Sequence, residues 1–346
     1  MRSLPIANPT NRFHSTTIDW EEGAPPAHLE VHEEHSKSIL SEVRSPDVGM
    51  RWSLNPYRGC VHACAYCYAR PSHQYLGYGA GTDFDRKIVV KVDAPELLRD
   101  AFQKKSWRGE SITFSGNTDC YQPLEAEYRL TQRCLEVCHE YRNPLHIITK
   151  SALIRRDVEL LTRLARDARC SATISIPYAD DATGRAIEPY ASSVTARFET
   201  VRILASAGIV VGVNIAPVIP GLTDSDIPEI LERAKAAGAR GAAMMPVRLA
   251  AEVLPVFLER MTIAFPGKIS RIKSAIGQIR DGKLNQSEFG KRMVGEGPRW
   301  LAIKSLFDTH CRRLGLNGFD PEFPDRHEDD EPTTFRRPSA QRDLFQ

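Results

Sequence analysis

The sequence predicts an α/β fold, a parallel sheet with helices outside it, followed by a helical extension. Three observations predict it. Short apolar runs alternate with helix-length segments between about residues 88 and 245. Glycines close two of those segments, at Gly208 and Gly238. After about Ala250 the strand-like runs stop and the pattern turns helical through Leu314. Parallel neighbours need a crossover between them, so βα alternation is the signature of such a sheet.

The elements follow in order. Residues 1–35 are polar, rich in Pro, His and Glu and without sustained periodicity, and are expected to form a disordered arm. The core is expected over residues 36–250. Ile88–Val92 and Ser111–Ser115 are short apolar strands. A helix near Glu125–Tyr141 leads to the strand His146–Lys150, and a helix near Arg156–Ala168 to the strand Cys170–Ile176. A helix near Val194–Ala207 stops at Gly208 before the long apolar strand Ile209–Ala216. A helix near Asp224–Ala237 ends at Gly238, and Gly241–Met245 is the last strand. Residues 251–317 form the expected helical cap, interrupted at Asp281-Gly-Lys and at Met293–Pro298, with Pro298 placed to open a final helix. Residues 318–346 alternate Pro, Asp, Glu and Arg without an apolar face, which reads as a disordered tail or a peptide that folds on a partner.

A chain of 346 residues holds one large or two ordinary domains. The net charge of +2 exerts no global pull toward nucleic acid or membrane. No apolar run is long enough for a membrane span, and Met1–Thr10 has no apolar signal core. Both point to the cytosol, where the eight cysteines read as thiols or metal ligands.

Three of those cysteines, Cys60, Cys64 and Cys67, share one loop within Asn55–Arg70, with the spacing C-x3-C-x2-C and Tyr66 before the last. Three thiolates on one loop can hold three corners of an iron–sulfur cube and leave the fourth iron open to a small molecule. Pro56 and Gly59 stiffen and bend the entry, and Gly59 lets backbone amides come close. The competing reading is zinc, which prefers four ligands and would draw on His62 or His73. Cys134 and Cys138 share a helix face and read as core residues or a second metal site, whereas Cys170 and Cys311 have no visible partners.

The cysteine spacing with its aromatic residue resembles the radical S-adenosylmethionine (radical SAM) superfamily. The wider strings Asn55–Cys60 and Cys67–His73 resemble the branch related to spore photoproduct lyase, often labelled DNA repair photolyase-like. The resemblance runs from about Ser36 to Gly315. It implies a partial (β/α)6 parallel barrel, open on one side, with the site at the C-terminal ends of the strands. It also implies one [4Fe–4S] cluster on Cys60, Cys64 and Cys67 and S-adenosylmethionine on the open iron. Reductive cleavage would then give a 5′-deoxyadenosyl radical that abstracts hydrogen from a substrate. A flavodoxin- or ferredoxin-type electron donor and a DNA substrate follow from the same resemblance, with lesion reversal as the reaction.

By this resemblance Tyr66 lies near the adenine, and Ser115, Gly116, Asn117 and Thr118 form the turn that meets the methionine amino group. Those four are turn residues in any case. Ser175 is a candidate for the ribose. Asn214 interrupts an apolar strand, and a buried Asn needs a partner, which cosubstrate or backbone can supply. Arg58 and Arg70 are placed to offset cluster charge. Two departures stand out. Gly116 occupies the position of the lyase's hydrogen-returning cysteine, so Cys120 or Tyr121 would have to act as donor or relay. The sequence also reads Glu188-Pro189-Tyr190 where many relatives have Glu-Pro-Arg, leaving Arg185 or Arg197 to meet the cosubstrate carboxylate. The basic pairs Arg155–Arg156, Lys291–Arg292 and Arg312–Arg313 are candidate phosphate contacts or solvated surface. The alternatives are a non-catalytic metal- or nucleic-acid-binding protein with a structural cysteine loop, and radical modification of RNA or protein.

Overall fold

The computed structural model describes residues 8–13, 27–316 and 333–338. Its strands are β1 (Glu30–Glu34), β2 (Leu40–Glu42), β3 (Trp52–Leu54), β4 (Tyr57–Arg58), β5 (Lys87–Lys91), β6 (Ile112–Phe114), β7 (Leu145–Thr149), β8 (Cys170–Ser175), β9 (Val210–Val218) and β10 (Gly241–Pro246). The main sheet runs β2-β3-β6-β7-β8-β9-β10. All of its neighbours are parallel except the β2–β3 pair. Six parallel strands in chain order, with helices between them, make the expected partial barrel. Its edge strands β2 and β10 do not pair with each other, so the wall stays open there.

Alternation along the strands separates two faces. Phe114, Ile147, Ala172 and Val211 stand in register and are fully or almost fully buried. The alternate positions carry Thr113, His146, Ser171, Thr173, Ser175 and Asn214. That second, polar face runs into a cavity at the strands' C-terminal ends. Helices Ala94–Gln103, Leu130–Glu140, Val158–Asp167, Val194–Ser206 and Ile227–Ala236 connect the strands. Their apolar stripes are buried, as with Ala94, Leu98 and Phe102 on the first. The C-terminal region supplies helices Val253–Ala264, Ile269–Gln278 and Gly297–Leu314.

Several expectations need correction. Lys87–Lys91 is a strand, but it belongs to a separate sheet, β1-β5-β4. The first barrel strand is the three-residue β3, too short to show a pattern. The helix expected over 125–141 breaks at Arg129, whose φ is +51°, into Glu125–Tyr128 and Leu130–Glu140. Part of the arm is ordered: β1 pairs with β5 through its backbone while its side chains stay mostly exposed, which is why no apolar period marks it. Asn8 Oδ1 accepts from the amides of Gly81 (3.1 Å) and Asp83 (3.2 Å), and Arg12 reaches Glu252 at 3.0 Å. Part of the tail also docks, on the chain's own core. Phe335 lies 5.7 Å from the Phe102 ring and 6.1 Å from that of Tyr141, and Arg337 donates to the carbonyls of Phe102, Lys104 and Trp107. The rest of the expected arm and tail lies outside the described residues.

Candidate active site

The cysteine loop leaves β3 and turns at Gly59, where φ is +76°. A Cβ there would stand 2.9 Å from both the Ile88 side chain and the Phe84 carbonyl, so only glycine fits without displacement. Buried polar groups hold the loop. Gln122 accepts from the Val61 amide at 3.0 Å and donates to the Gly59 carbonyl at 3.1 Å. Asn55 Oδ1 accepts from the amides of Asn117 (2.7 Å) and Thr118 (3.2 Å), which ties the loop to the turn after β6. Arg70 is fully buried and donates to the carbonyls of Cys64, Ala80 and Gly81 and to Asp85. Arg260, on a helix of the C-terminal extension, reaches Ala63 O and the same Asp85. Arg70 is thus a structural tie of the loop, and its charge is also felt at Cys67.

Cys60, Cys64 and Cys67 are free thiols and line a cavity of about 470 Å³. Burial pushes the thiols of Cys60 and Cys64 well above the usual range. Cys67 is raised by the same cause, with the Arg70 guanidinium acting against it. Tyr66 Oη donates to Glu188, a buried carboxylate that also receives Arg197 Nη2. Burial raises the Glu188 pKa and Arg197 opposes the rise. Arg197 further donates to the carbonyls of Ser175 (3.0 Å) and Ser192 (2.9 Å). A chain of contacts therefore runs from the cysteine loop through Glu188 to the end of β8.

On the facing wall Ser115 has a φ of +77°, and its Oγ accepts from the Cys120 amide at 2.8 Å. Gly116 packs so closely that a Cβ would lie 2.7 Å from Ser53 Cβ. Asp119 accepts from Thr149 Oγ1 (2.7 Å) and from the Lys150 amide (2.8 Å), and stands 3.5 Å from His62 Nδ1. Burial pushes the His62 imidazole down to about 4, with Asp119 pulling the other way, so the ring is neutral near pH 7. Lys150 Nζ lies 5.8 Å from the centroid of the Tyr66 ring.

The sequence pattern of the radical SAM superfamily matches residues 54–234. The chain belongs to the radical SAM superfamily. An uncharacterised protein of Mycobacterium tuberculosis is 35% identical over 71% of this chain and 73% of its own. A radical SAM Nalpha-GlyT isomerase of Pseudomonas phage M6 is 27% identical over 60% of this chain and 41% of its own. Among solved structures, spore photoproduct lyase complexed with dinucleoside spore photoproduct superimposes with a TM-score of 0.57 at 14% identity, over 82% of this chain and 79% of its own. A variant of the same lyase gives 0.60 over 85% and 82%. At that identity the likeness establishes the fold. As a radical SAM enzyme the chain uses a [4Fe–4S] cluster and S-adenosylmethionine, so the reading as a non-catalytic binding protein does not hold.

The cavity fits such groups. Its donor set includes three unpaired thiols, the ligands iron–sulfur chemistry prefers. Asn214 Oδ1, a lining residue's oxygen, is buried without a hydrogen-bond partner, as expected of an acceptor awaiting a ligand. His73 lies elsewhere, bonded to Lys87 O at 2.8 Å and packed edge-on against Phe84.

All seven candidate cosubstrate residues, Tyr66, Ser115, Gly116, Asn117, Thr118, Ser175 and Asn214, line this cavity. Cys120 and Tyr121 do not. Cys120 is fully buried in the core, and Tyr121 donates to Asp157 at 3.0 Å. Neither reaches the cavity, which does not support the expected role as hydrogen donor or relay. Arg197 is committed to Glu188 and backbone carbonyls, and Arg185 is exposed on its helix, so neither lines the cavity. Cys134 and Cys138 are core residues with no exposure. Of the basic pairs, Arg155 and Arg156 bond within the protein and Arg313 meets Glu232; only Arg292 reaches the cavity. Sequence reasoning missed Lys150, Arg248 and Arg292 as lining residues. Lys150 had a signal: 146, 148 and 150 alternate onto the inner face of an expected strand.

Proposed function

We propose that Cys60, Cys64 and Cys67 hold the cluster, and that the enzyme abstracts hydrogen from a modified or damaged base in DNA. The observation that carries the reading is the convergence of three free thiols, Tyr66 and four strand ends on one cavity. Held by these three thiolates, the cluster would supply the single electron for reductive cleavage of S-adenosylmethionine into methionine and a 5′-deoxyadenosyl radical able to abstract hydrogen.

The chain's own residues orient and enclose. Tyr66, fixed by Glu188, offers its ring to the adenine. Asn214 and Ser175, adjacent in the β8–β9 register, face the ribose. The turn Ser115–Thr118 receives the amino group. Lys150 is the lining cation beside Tyr66, and takes the carboxylate in place of the arginine absent at Tyr190. A flavodoxin- or ferredoxin-type protein supplies the electron.

The base-directed reading draws on the spore photoproduct lyase fold and on the phage relative, which is named an isomerase. Gly116 has no room for a side chain, and the lining thiols are the three assigned to the cluster. The reading we take is that hydrogen returns to the product radical from the methyl group of 5′-deoxyadenosine; the 5′-deoxyadenosyl radical so re-formed would recombine with methionine and give the electron back, a redox-neutral cycle that suits reversal or rearrangement. The test is anaerobic reconstitution followed by dithionite reduction. The native chain should bind iron and sulfide and form 5′-deoxyadenosine, and Cys64→Ala should do neither. Equal yields from both proteins would sink the cluster assignment.

A further inference from the structure

Besides the cysteine loop and the strand ends, a second set of lining residues comes from segments outside the barrel strands. Ser45 lies on the loop after β2, Arg248 follows β10, and Arg292 and Met293 sit on the glycine-rich loop before the final helix. That loop is tied down. Asp47 accepts from the Gly290 amide at 2.6 Å and from Arg292 Nε, and Arg292 Nη2 donates to Ser45 Oγ at 2.7 Å.

Arg248 is left over. It is half-buried, its Nε has no hydrogen-bond partner, and its Nη1 contacts the thioether of Met293 at 3.1 Å. Nearby, Arg70, Arg197, Arg260 and Arg292 each meet a carboxylate, and Arg280 donates to four backbone carbonyls. A buried guanidinium without an anion is unfavourable, and burial together with the charge of Arg292 pushes its pKa down. Asp47 is bonded to Arg292 and acts on Arg248 only through space, so Arg248 has no carboxylate in contact. One more feature narrows the missing anion. The Phe289 ring lies 4.1 Å from the Arg292 guanidinium and is 57% exposed, a flat surface on which a nucleobase can stack.

We propose that Arg248 receives one phosphodiester of the substrate, so that the cavity takes a base from a strand whose backbone is anchored outside it. This rests on the radical reading of the cavity and adds the group that the enzyme recognises. A guanidinium suits the task because its planar donors match two phosphate oxygens.

The test is anaerobic calorimetry on the reconstituted full-length enzyme with S-adenosylmethionine. The probes are thymidylyl-(3′,5′)-thymidine and its uncharged methylphosphonate analogue. The native enzyme should bind the charged probe about tenfold more tightly, the scale of one charge-assisted contact. Arg248→Met should remove the preference, and Arg248→Lys should keep part of it. The salt dependence of binding should weaken by about one phosphate contact in Arg248→Met. Equal binding of the two probes by the native enzyme overturns the proposal, as does an undiminished preference in a folded Arg248→Met. Arg248-dependent binding of a peptide carboxylate (Gly-Gly-Thr) with none of the dinucleotide overturns it too. 5′-Deoxyadenosine formation by the same preparation without either probe separates the two failures. If it persists while phosphate discrimination is missing, only the role of Arg248 falls; if it is absent from the native enzyme, the radical reading falls.

Discussion

At the scale of single residues, the site divides into what is local in the chain and what the fold assembles. Cys60, Cys64 and Cys67 lie within eight positions of one another, so spacing alone marks them as a joint ligand set, while the choice between iron–sulfur and zinc needs the flanking residues. The exclusion of Cys120 is not legible, because it depends on which side of the turn after β6 faces the core. Lys150 belongs to both classes: strand alternation points it inward, but only the fold brings it over Tyr66. If Lys150 holds the carboxylate of S-adenosylmethionine, Lys150→Met should weaken cosubstrate binding by about tenfold or more, since a charge-assisted contact is lost. Equilibrium dialysis on the reconstituted protein measures this, and unchanged affinity would return the carboxylate to another group.

At the scale of elements, the inner face of the barrel strands explains both the cavity and a liability. His146 on β7 meets Ser171 Oγ at 2.8 Å and Thr173 Oγ1 at 3.1 Å, both on β8. Burial pushes its pKa down to about 4, whereas an exposed imidazole titrates near 6.5. The folded state therefore holds His146 neutral. Its contribution is intact above about pH 6.5 and is lost as pH falls from there toward 4, because the unfolded chain takes up a proton that the fold refuses. Between pH 6 and 5 the native protein should lose more stability than His146→Gln, by up to roughly 1.4 kcal/mol per pH unit. Urea denaturation of both proteins checks this, and parallel acid limbs would show that His146 is not the group. The long strands β8 and β9 and their helices were legible from apolar runs. By contrast β3 has three residues and β1 is held by backbone pairing under polar side chains, so neither offered a period to read.

At the scale of the whole molecule, distant parts of the chain brace the barrel from outside. Residues 333–338 illustrate this, with Phe335 against Phe102 and Tyr141 and Thr333 Oγ1 donating to Gly109 O at 2.6 Å. A composition poor in apolar residues hides such a strap, because one aromatic ring and one arginine do the holding. Phe335→Ala should destabilise the protein by about 1–2 kcal/mol, the value of a partly buried aromatic contact. 5′-Deoxyadenosine formation should be unchanged, since the strap touches none of the residues that line the cavity. A thermal melt paired with that assay separates the two effects, and a loss of turnover at full stability would contradict the assignment.

The missing contact between β2 and β10 leaves a seam in the wall. At the cavity's mouth side chains cross that seam: Asp47 and Ser45 from the β2 side hold Arg292, which lines the cavity together with Arg248 from the β10 side. The rim there is closed by a polar clasp and not by backbone pairing.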